Sequence, residues 1–352
     1  MALKSDILQA AGAIDDIADA FAGKTVLLCG GRGFIGRYLC AVLLELNQRR
    51  LKKNPCTLLV LDNLITSGKS KLAFPKTPHF RFMKHNIIEP FTTNIHIDFI
   101  LQTAGIASPY YYRAYPLETL EVAIAGTKNM LELAEKNRSR LLFFSSSEIY
   151  GDPDPKYVPT RESYRGYVSC LGPRACYDES KRLGETLCYV FHEKFGTAAV
   201  IVRPFNVFGP GMQEADYRIL PNIASRIKAG KPVNIYGTGK QTRTFCYITD
   251  AIEGFLRALA LGLPGEAYNI GNPKPEISMT DLIKIISRVL GRPVAHHLVE
   301  YPDSYPADEP NRRCPDITKA KLQLGFKPKV PLEEGLERFF TWTEKTYTGN
   351  DK

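Results

Sequence analysis

A tyrosine and a lysine that lie four residues apart, Tyr177 and Lys181, combine residue types and a spacing that suit chemistry. On a helix, side chains at this spacing share one face. A tyrosine hydroxyl titrates near pH ~10 in isolation, and a neighbouring cation favours its phenolate, which can act as a base near neutral pH. The same spacing occurs on many solvated helices, so the pair predicts a catalytic base only where other segments supply a cofactor and a substrate pocket.

A glycine-rich stretch at residues 30–36, GGRGFIG, supplies a cofactor site. It follows an apolar run at residues 25–29 and precedes helical periodicity, which is the strand, turn and helix order of a dinucleotide-binding fingerprint. In that arrangement Gly30 makes the tight turn, Gly33 lets the backbone approach the pyrophosphate, and Gly36 permits close packing of helix on strand. The stretch therefore predicts a dinucleotide site.

A second apolar run, at residues 57–61, ends at Asp62. The carboxylate of an acidic residue at this place accepts hydrogen bonds from the adenosine ribose, and no basic residue follows immediately, so NAD is favoured over NADP. The alternative is a glycine-rich turn with an unrelated Asp. We rank it lower because strand patterns flank the turn on both sides.

Three serines and a glutamate, at positions 145 to 148, come directly after the apolar run at residues 141–144. Their hydroxyls and carboxylate can bind a sugar and move protons. Serines also favour strand ends for local reasons, which alone would make a structural role the better interpretation. The functional interpretation gains weight because the helix with the tyrosine–lysine pair follows at the distance needed to close the same cleft.

Apolar runs alternate with helical patterns through the first half of the chain. Strand candidates at residues 57–61, 80–83, 99–102 and 141–144 are separated by helical segments, such as the one at residues 116–138. This alternation predicts an α/β fold, a Rossmann-type doubly wound parallel sheet with helices on both faces. Ligands bind such sheets beyond the carboxyl ends of the strands, where the glycine-rich stretch and the serines lie.

Three regions are predicted along the chain. Residues 1–22 form an N-terminal helical extension with an amphipathic helix over residues 3–21. Residues 23–203 form the NAD-binding domain. Residues 204–352 form mainly a smaller mixed α/β substrate-binding region, with some return to the sheet.

Length and composition fit a globular enzyme: 352 residues, 44% hydrophobic, 24% charged, with a formal net charge of +9. Because the basic residues are scattered, this charge favours a phosphate-bearing small molecule over nucleic acid. The eight cysteines show no Cys-x-x-Cys pair, and no signal-peptide or membrane-spanning pattern occurs, so we expect reduced thiols in a cytoplasmic protein without a membrane partner. The histidines lack helical ligand spacing, so we expect no metal.

The motifs together resemble the extended short-chain dehydrogenase/reductase family, whose members modify nucleotide sugars. The resemblance rests on the glycine-rich stretch, Asp62, the serines before Tyr150, the tyrosine–lysine pair and the segment RPFNVFGP at residues 203–210, and it covers about residues 24–345. It implies NAD as cofactor and a nucleotide sugar as substrate. It also implies a homodimer, formed by helices near residues 117–136 and 174–195.

The residues after the catalytic hydroxyl position favour one branch of that family. Nucleotide-sugar 4,6-dehydratases carry Asp-Glu there and many 4-epimerases carry neither acid, whereas this chain has Ser147-Glu148. That pair is similar to the UDP-glucuronate decarboxylases, also called UDP-xylose synthases; the related UDP-apiose/xylose synthases have cysteine in place of Ser147. A 4-epimerase or 4,6-dehydratase of another nucleotide sugar stays open as an alternative. A non-catalytic NAD-binding regulatory protein is disfavoured by the intact catalytic set.

The resemblance assigns roles to individual residues. The implied catalytic residues are Ser146, Ser147, Glu148, Tyr177, Lys181 and Arg243. The residues expected to hold NAD are Gly30, Gly33, Phe34, Ile35, Gly36, Asp62, Asn63, Asn86, Ile87, Thr103, Ala104, Tyr177, Lys181 and Pro204. The residues expected to hold the substrate are Ser108, Pro109, Tyr112, Asn206, Tyr236, Arg243 and Arg313.

The implied chemistry starts with Tyr177 as phenolate, which removes the proton of the C4 hydroxyl while hydride passes from C4 to NAD and Ser146 holds the oxygen. The ketone then lies beta to the C6 carboxylate, so loss of carbon dioxide delivers its electrons into an enolate. Ser147 and Glu148 are expected to orient the carboxylate and relay a proton. For Arg243, carboxylate recognition, pyrophosphate recognition and reprotonation of C5 are all open. Hydride returns to C4 at the end, so the cofactor is not consumed.

Overall fold

The computed structural model describes residues 3–67, 76–216, 218–300 and 310–349 of the chain. Its helices are α1 Lys4–Ala13, α2 Phe34–Arg49, α3 Pro109–Ala114, α4 Pro116–Glu121, α5 Thr127–Asn137, α6 Ala175–Phe195, α7 Ile219–Lys228, α8 Ile248–Leu261, α9 Met279–Val289, α10 Thr318–Leu324 and α11 Leu332–Thr346. Its strands are β1 Thr25–Cys29, β2 Thr57–Asp62, β3 Phe80–Lys84, β4 Phe99–Gln102, β5 Arg140–Phe144, β6 Ala198–Pro204, β7 Val207–Phe208, β8 Val233–Tyr236, β9 Thr242–Arg243, β10 Cys246–Tyr247, β11 Ala267–Ile270, β12 Ile277–Ser278, β13 His296–Val299 and β14 Arg312–Arg313.

The main sheet has, within the described residues, seven strands in the order β11-β6-β5-β4-β1-β2-β3, and every adjacent pair is parallel. Helices separate β1 from β2, β4 from β5 and β5 from β6, but none lies in the described residues 85–98 between β3 and β4, so the alternation predicted from the apolar runs holds only in part. Strands β2 and β3 lie on one side of β1, and the chain then crosses to β4 on the other side. The strand order reverses between β1 and β4, which leaves a crevice at their carboxyl ends. The predicted α/β, doubly wound parallel architecture is confirmed, and this crevice is where such folds bind ligands.

Successive side chains of β1 point to opposite faces of the sheet and pack into two separate hydrophobic cores. Val26 and Leu28 belong to a large cluster that also contains residues of α1, α2 and α8. Leu27 and Cys29 point to the other face and pack with residues of α5 and α6. Because both faces of the strand are covered by helices, its side chains are apolar without interruption, which is the pattern of a parallel sheet.

The two long helical predictions need correction in detail. The helix expected over residues 116–138 consists of α4, a π-helical turn at Val122–Gly126, and α5, and it ends at Arg138 in the left-handed conformation, with φ 55°. The single helix expected over residues 3–21 is wrong: α1 ends at Ala13, and a 3₁₀ helix follows at Asp15–Phe21. The apolar spacing is helical throughout, but Ile14 leaves the helical conformation, with ψ 17°.

The N-terminal extension packs onto the sheet domain through a buried carboxylate. Asp6 of α1 is fully buried, and its Oδ2 accepts hydrogen bonds from the hydroxyls of Tyr38 at 3.2 Å and Tyr247 at 2.8 Å. Its Oδ1 pairs with Arg338 at 3.0 Å. A buried charge needs such partners, so α1 is tied to α2, β10 and α11.

The second half of the chain builds small sheets beside the carboxyl end of the main sheet. These are β8 with β13, β7 with β10, and β9 between β12 and β14. Strand β11 returns to the edge of the main sheet beside β6. The division into regions 1–22, 23–203 and 204–352 stays a prediction, and residues 1, 2, 68–75, 217, 301–309 and 350–352 of it lie outside the described residues. Of the helices in the described part of the chain, none has the length and apolarity needed to cross a membrane.

Candidate active site

The turn between β1 and α2 is built from glycines because its backbone lies too close to neighbouring backbone for a side chain. Gly30 has φ +79°, and a Cβ on it would lie 2.8 Å from the Cα of Ala104. A Cβ on Gly36 would overlap the carbonyl oxygen of Gly30. Gly33 is the N-cap of α2, so unpaired backbone N–H groups of the first helical turn face the crevice. This turn fits the pyrophosphate of a dinucleotide.

Asp62 ends β2 beside that turn, and its carboxylate is fixed by three donors. One oxygen accepts from the backbone N–H of Arg32 at 2.8 Å, and the other accepts from Leu64 N–H at 2.8 Å and from the Ser67 hydroxyl at 3.2 Å. A cavity of about 110 Å³ adjoins it. The predicted cofactor residues that line this cavity are Gly30, Gly33, Asp62, Asn63, Asn86, Ile87, Thr103 and Ala104. The arrangement fits the adenosine end of NAD.

The serines after β5 form the next wall of the crevice. Ser145 donates a hydrogen bond to Glu185 at 2.5 Å, and the hydroxyl of Ser146 accepts one from the Glu148 backbone N–H at 3.2 Å. The latter bond caps a 3₁₀ turn at Ser147–Tyr150. The serines therefore stabilise the turn and also line a cavity of about 250 Å³, and their role in binding a sugar stays a prediction.

Tyr177 and Lys181 lie one turn apart on α6 and are both buried. The ammonium of Lys181 donates a hydrogen bond to the Phe144 carbonyl at 2.8 Å and lies 5.8 Å from the centre of the Tyr177 ring. Burial lowers the pKa of Lys181 to about 8. Burial raises the pKa of Tyr177 to about 12, although a hydrogen bond with Ser146 acts in the opposite direction.

The expected shift of the Tyr177 pKa towards neutrality is therefore opposed by burial, which is the largest cause of change in that pKa. Loss of water around the phenol has the larger effect. The ring itself is well held, because Tyr112 stacks on it with ring centres 5.4 Å apart and an interplanar angle of 13°. The hydroxyl of Tyr112 is buried and has no hydrogen-bond partner among the described residues, so it is available to a ligand.

A charged cluster lies next to Tyr177. Glu148 is ion-paired with Arg174 and with Arg313, whose Nη2 lies 2.7 Å from its Oε2. Arg174 also contacts Asp178, with 3.4 Å between Nε and Oδ2. Sequence reasoning selected Glu148 and Arg313 but missed Arg174 and Asp178. The four-residue spacing of those two on the catalytic helix was the available signal.

A cavity of about 380 Å³ extends from this cluster towards the C-terminal small sheets. Predicted substrate or catalytic residues that line it are Pro109, Tyr112, Glu148, Tyr177, Asn206, Tyr236, Arg243 and Arg313. Asn206, which has φ 40°, donates its amide to the Thr244 carbonyl at 2.8 Å. Arg218, which sequence reasoning did not select, also faces this cavity and is paired with Asp216 at 2.9 Å.

The cavity beside the serines joins the cofactor turn to the catalytic residues. The predicted residues on its wall are Gly30, Gly33, Phe34, Ile35, Gly36, Thr103, Ser108, Ser146, Ser147, Glu148, Tyr177, Lys181, Pro204 and Asn206. All predicted site residues thus line one of three adjoining cavities. Their individual roles stay predictions. In the same described residues, no three His, Cys, Asp or Glu side chains are grouped so that they could hold a metal ion.

A sequence model of the NAD dependent epimerase/dehydratase family matches residues 26–271. The chain belongs to this family. The family assignment agrees with the resemblance of the motifs to extended short-chain dehydrogenases, and NAD is the cofactor. The glycine turn and the Asp62 cavity fit a dinucleotide.

The relatives of this epimerase/dehydratase family member include decarboxylases. UDP-glucuronic acid decarboxylase 1 of Xenopus tropicalis is 37% identical over 323 residues, which cover 92% of this chain and 72% of that protein. UDP-glucuronic acid decarboxylase 5 of Arabidopsis thaliana is 38% identical over 312 residues, covering 88% and 86%. The structure of UDP-glucuronic acid 4-epimerase from Bacillus cereus with UDP-glucuronic acid and NAD is 27% identical, with a TM-score of 0.76 over 92% of this chain and 100% of that one.

Proposed function

We propose that this chain decarboxylates UDP-glucuronate to UDP-xylose through a 4-keto intermediate. The observation that carries the proposal is the pairing of Glu148 with Arg174 and Arg313 beside Tyr177. A hydroxyl base for C4 and a charged cluster for a neighbouring carboxylate thus line one cavity. The curated relatives at 37–38% identity, all named UDP-glucuronic acid decarboxylases, support the same reaction.

In this proposal NAD is held by residues of two adjoining cavities. The Gly30–Gly36 turn receives the pyrophosphate, Asp62 the adenosine ribose, and Lys181 the nicotinamide ribose. The remaining residues that we assign to the cofactor are Phe34, Ile35, Asn63, Asn86, Ile87, Thr103, Ala104, Tyr177 and Pro204. When bound, NAD supplies the hydride acceptor for C4.

The protein's own groups handle protons and charge. Tyr177, as phenolate, removes the proton of the C4 hydroxyl, and Ser146 donates a hydrogen bond to the same oxygen. Because a 4-ketone lies beta to the C6 carboxylate, the bond between C5 and the carboxyl carbon can break with its electrons delocalised into an enolate. Donors near O4 stabilise that charge, and a proton must then reach C5.

Recognition of the anionic substrate is assigned to the arginines and to nearby polar groups. Arg243 and Arg218 line the same cavity as the catalytic tyrosine, and guanidinium groups suit both carboxylate and phosphate. We place the C6 carboxylate near Ser147 and Glu148, where Arg243 and Arg313 offset like-charge repulsion. The other residues that we assign to the substrate are Ser108, Pro109, Tyr112, Asn206 and Tyr236.

The test is incubation of the purified protein and NAD with UDP-glucuronate labelled with ¹³C at C6. We expect labelled carbon dioxide and an unlabelled UDP-pentose, identified by mass spectrometry and by NMR at C4. A product that retains C6 and is inverted at C4 would identify a 4-epimerase, which the similarity to the Bacillus cereus structure makes the competing candidate. Loss of water from another nucleotide sugar, with no turnover of UDP-glucuronate, would identify a 4,6-dehydratase. Binding of NAD without turnover of any nucleotide sugar would leave a regulatory role.

We further propose that the protein is a cytoplasmic homodimer without nucleic-acid or membrane partners. All eight cysteines are free, which supports a reducing compartment. Exposed apolar side chains on α4 and α6, among them Leu117, Leu183 and Val190, support contact between two copies of this face.

A further inference from the structure

Two carboxylates share one edge of the Arg174 guanidinium. Nη2 of Arg174 pairs with Oε2 of Glu148, and Nε lies 3.4 Å from Oδ2 of Asp178. Nε and Nη2 form the same edge of this planar group, so their N–H bonds point to one side. The two carboxylates are therefore held side by side, one from the turn after β5 and one from the first turns of α6.

The two members of this carboxyl pair face different surroundings. Glu148 lines the substrate cavity, whereas Asp178 lies behind Arg174 and lines neither of the two cavities that Glu148 lines. Asp178 is 7% exposed, and its Oδ1 is buried without a hydrogen-bond partner among the described residues. A buried carboxylate oxygen in that situation is unfavourable, whereas a carboxylic acid is not.

The groups packed around Asp178 do not fully offset its charge. Arg174 interacts with it from the N-cap of α6, Cys176 and Tyr177 from α6, Tyr112 from α3, Glu148 from the turn after β5, and Arg313 from β14. Both guanidinium groups are already paired with Glu148. Two adjacent carboxylates that compete for the same cations tend to hold one proton between them.

The proposed reaction needs a proton that the tyrosine does not provide. Tyr177 takes one proton from the C4 hydroxyl and returns it to that oxygen when the ketone is reduced. Replacement of a carboxylate by hydrogen at C5 consumes one further proton in each turnover. This proton must come from a group near C5 that is refilled from solvent.

Building on the proposed decarboxylation, we infer that Asp178 stores this proton and delivers it to C5 through Glu148, as a positioning residue that does not touch the substrate. When the bond between C5 and the carboxyl carbon breaks, carbon dioxide leaves and its electron pair enters the enolate. Glu148 takes the proton of Asp178 and passes it to C5, where the C5–H bond forms, and both carboxyl groups are then ionised. A proton from solvent in the substrate cavity then returns to Asp178 through Glu148, so the pair regains its initial state.

The raised pKa of Asp178 agrees with this role. Burial, followed by the charge of Glu148, raises the pKa of Asp178 to about 7. Near neutral pH Asp178 is therefore protonated in a substantial fraction of molecules, and it loses its proton readily to a stronger base.

The test compares the wild type with Asp178→Asn, in which the amide oxygen can still accept from Arg174 but cannot bind a proton. Infrared spectra without substrate should show, within the protonated-carboxyl band, a component that disappears as the pH rises through about 7 and that is missing from the variant. The component of Asp250, whose pKa burial raises to about 6, should stay in both proteins. UDP-pentose formation should fall at least 10-fold in Asp178→Asn, with 4-keto species accumulating in quenched samples. Its rate should no longer decline as the pH rises above 7.

Two further variants separate proton storage from stability. Glu179→Gln, a half-exposed neighbour paired with Arg182 on the same helix, should retain the band, the rate and the pH profile. Asp178→Glu should restore the titrating band and most of the rate. If Asp178→Asn does not fold, isotope labelling is used instead: the band should shift with labelled aspartate in the wild type and with labelled glutamate in Asp178→Glu. A band unchanged in Asp178→Asn, or a rate loss with an unchanged pH profile, would overturn the inference. Absence of labelled carbon dioxide from the wild type would instead reject the proposed function.

Discussion

The phenol of Tyr177, which is the base in the proposed reaction, is held in place by its neighbours although burial disfavours its phenolate form. Stacking on Tyr112 fixes the ring, and a hydrogen bond with Ser146 fixes the hydroxyl. Burial nevertheless keeps the pKa of Tyr177 near 12, and Lys181 has a lowered pKa and donates to the Phe144 carbonyl. Burial therefore opposes formation of the phenolate near neutral pH.

Replacement of Tyr177 by Phe should reduce turnover by about 10²–10⁴-fold, because the general base is lost while the stacked ring is kept. NAD binding should change little, since the fold of the glycine turn and the Asp62 carboxylate are untouched. Carbon dioxide release and NAD binding by calorimetry measure the two properties. Tyr189→Phe, on the exposed face of the same helix, is the control and should behave as wild type. Turnover that persists in Tyr177→Phe would mean that another group is the base.

The raised pKa of Asp178 also predicts a pH dependence of stability. The folded protein binds this proton up to about pH 7, whereas the unfolded chain releases it near the ordinary value of 3.8. The stability that it contributes is thus complete below about pH 4 and is lost as the pH rises through 7. Between about pH 5 and 8 the wild type should lose roughly 2–3 kcal/mol relative to Asp178→Asn.

Urea denaturation of the two proteins at both pH values measures this difference. Titrating groups away from Asp178 contribute equally to both proteins and cancel in the comparison, whereas the neighbouring Glu148 is part of the measured difference. Glu179→Gln should follow the wild type at each pH. Parallel stability curves for wild type and Asp178→Asn would show that Asp178 is charged throughout, which contradicts the prediction.

Residues of the site could be predicted from sequence where a local motif carries them. Tyr177, Lys181 and the glycine turn each belong to one short segment with a recognisable spacing. Arg174 and Asp178 were missed because their role depends on Glu148 and Arg313, which the fold brings from distant parts of the chain. The opposing effects on the pKa of Tyr177 were equally hidden, since burial is a property of the folded chain.

At the scale of elements, α2 can approach the turn after β1 closely because Gly36 has no side chain. A Cβ on Gly36 would overlap the Gly30 carbonyl oxygen and lie 2.8 Å from the Cα of Gly31. Gly36→Ala should therefore push α2 away from the turn, with a loss of about 1–3 kcal/mol in the free energy of unfolding. NAD affinity should fall at least 10-fold, because the helix terminus that receives the pyrophosphate moves.

Thermal unfolding and NAD titration measure both effects. The matched control is Gly12→Ala in α1, where the nearest neighbour of an added Cβ is a side-chain nitrogen of Arg49 at 3.8 Å. That variant should be neutral or gain about 0.5–1 kcal/mol, since alanine is the better helix former. Equal NAD affinity in Gly36→Ala and wild type would show that the turn tolerates the displacement.

Helices and strands could be predicted from sequence where the spacing of apolar residues reflects which side chains are buried. Strand β4 was predicted with its observed bounds, and β2, β3 and β5 were each one residue longer than predicted. The apolar pattern of residues 3–21 did not reveal the break at Ile14, because both the α-helix and the following 3₁₀ helix bury the same side of the chain. The π-helical turn after α4 likewise leaves the apolar pattern nearly unchanged.

For the whole molecule, the cofactor and substrate cavities adjoin at the carboxyl end of the main sheet, while apolar side chains remain exposed on its outer helices. On α6, Leu183 is 41% and Val190 44% exposed, and they are seven residues apart and so on one face. Leu117 of α4 is 69% exposed. Helices α4 and α6 contact each other, so these side chains belong to adjoining surfaces. Exposed apolar side chains on neighbouring helices are a feature of protein–protein contacts.

Substitution of Leu183 and Val190 by Glu together should convert the proposed homodimer into monomers. In a two-fold symmetric interface each substitution occurs twice, so four carboxylates would lose water and face one another. Light scattering after gel filtration should show the molar mass falling to half of the wild-type value, whereas Leu322→Glu on α10, where the side chain is 77% exposed, should leave the mass unchanged. A dimer that survives the double substitution would place the contact on another surface, and a monomeric wild type would reject the dimer itself.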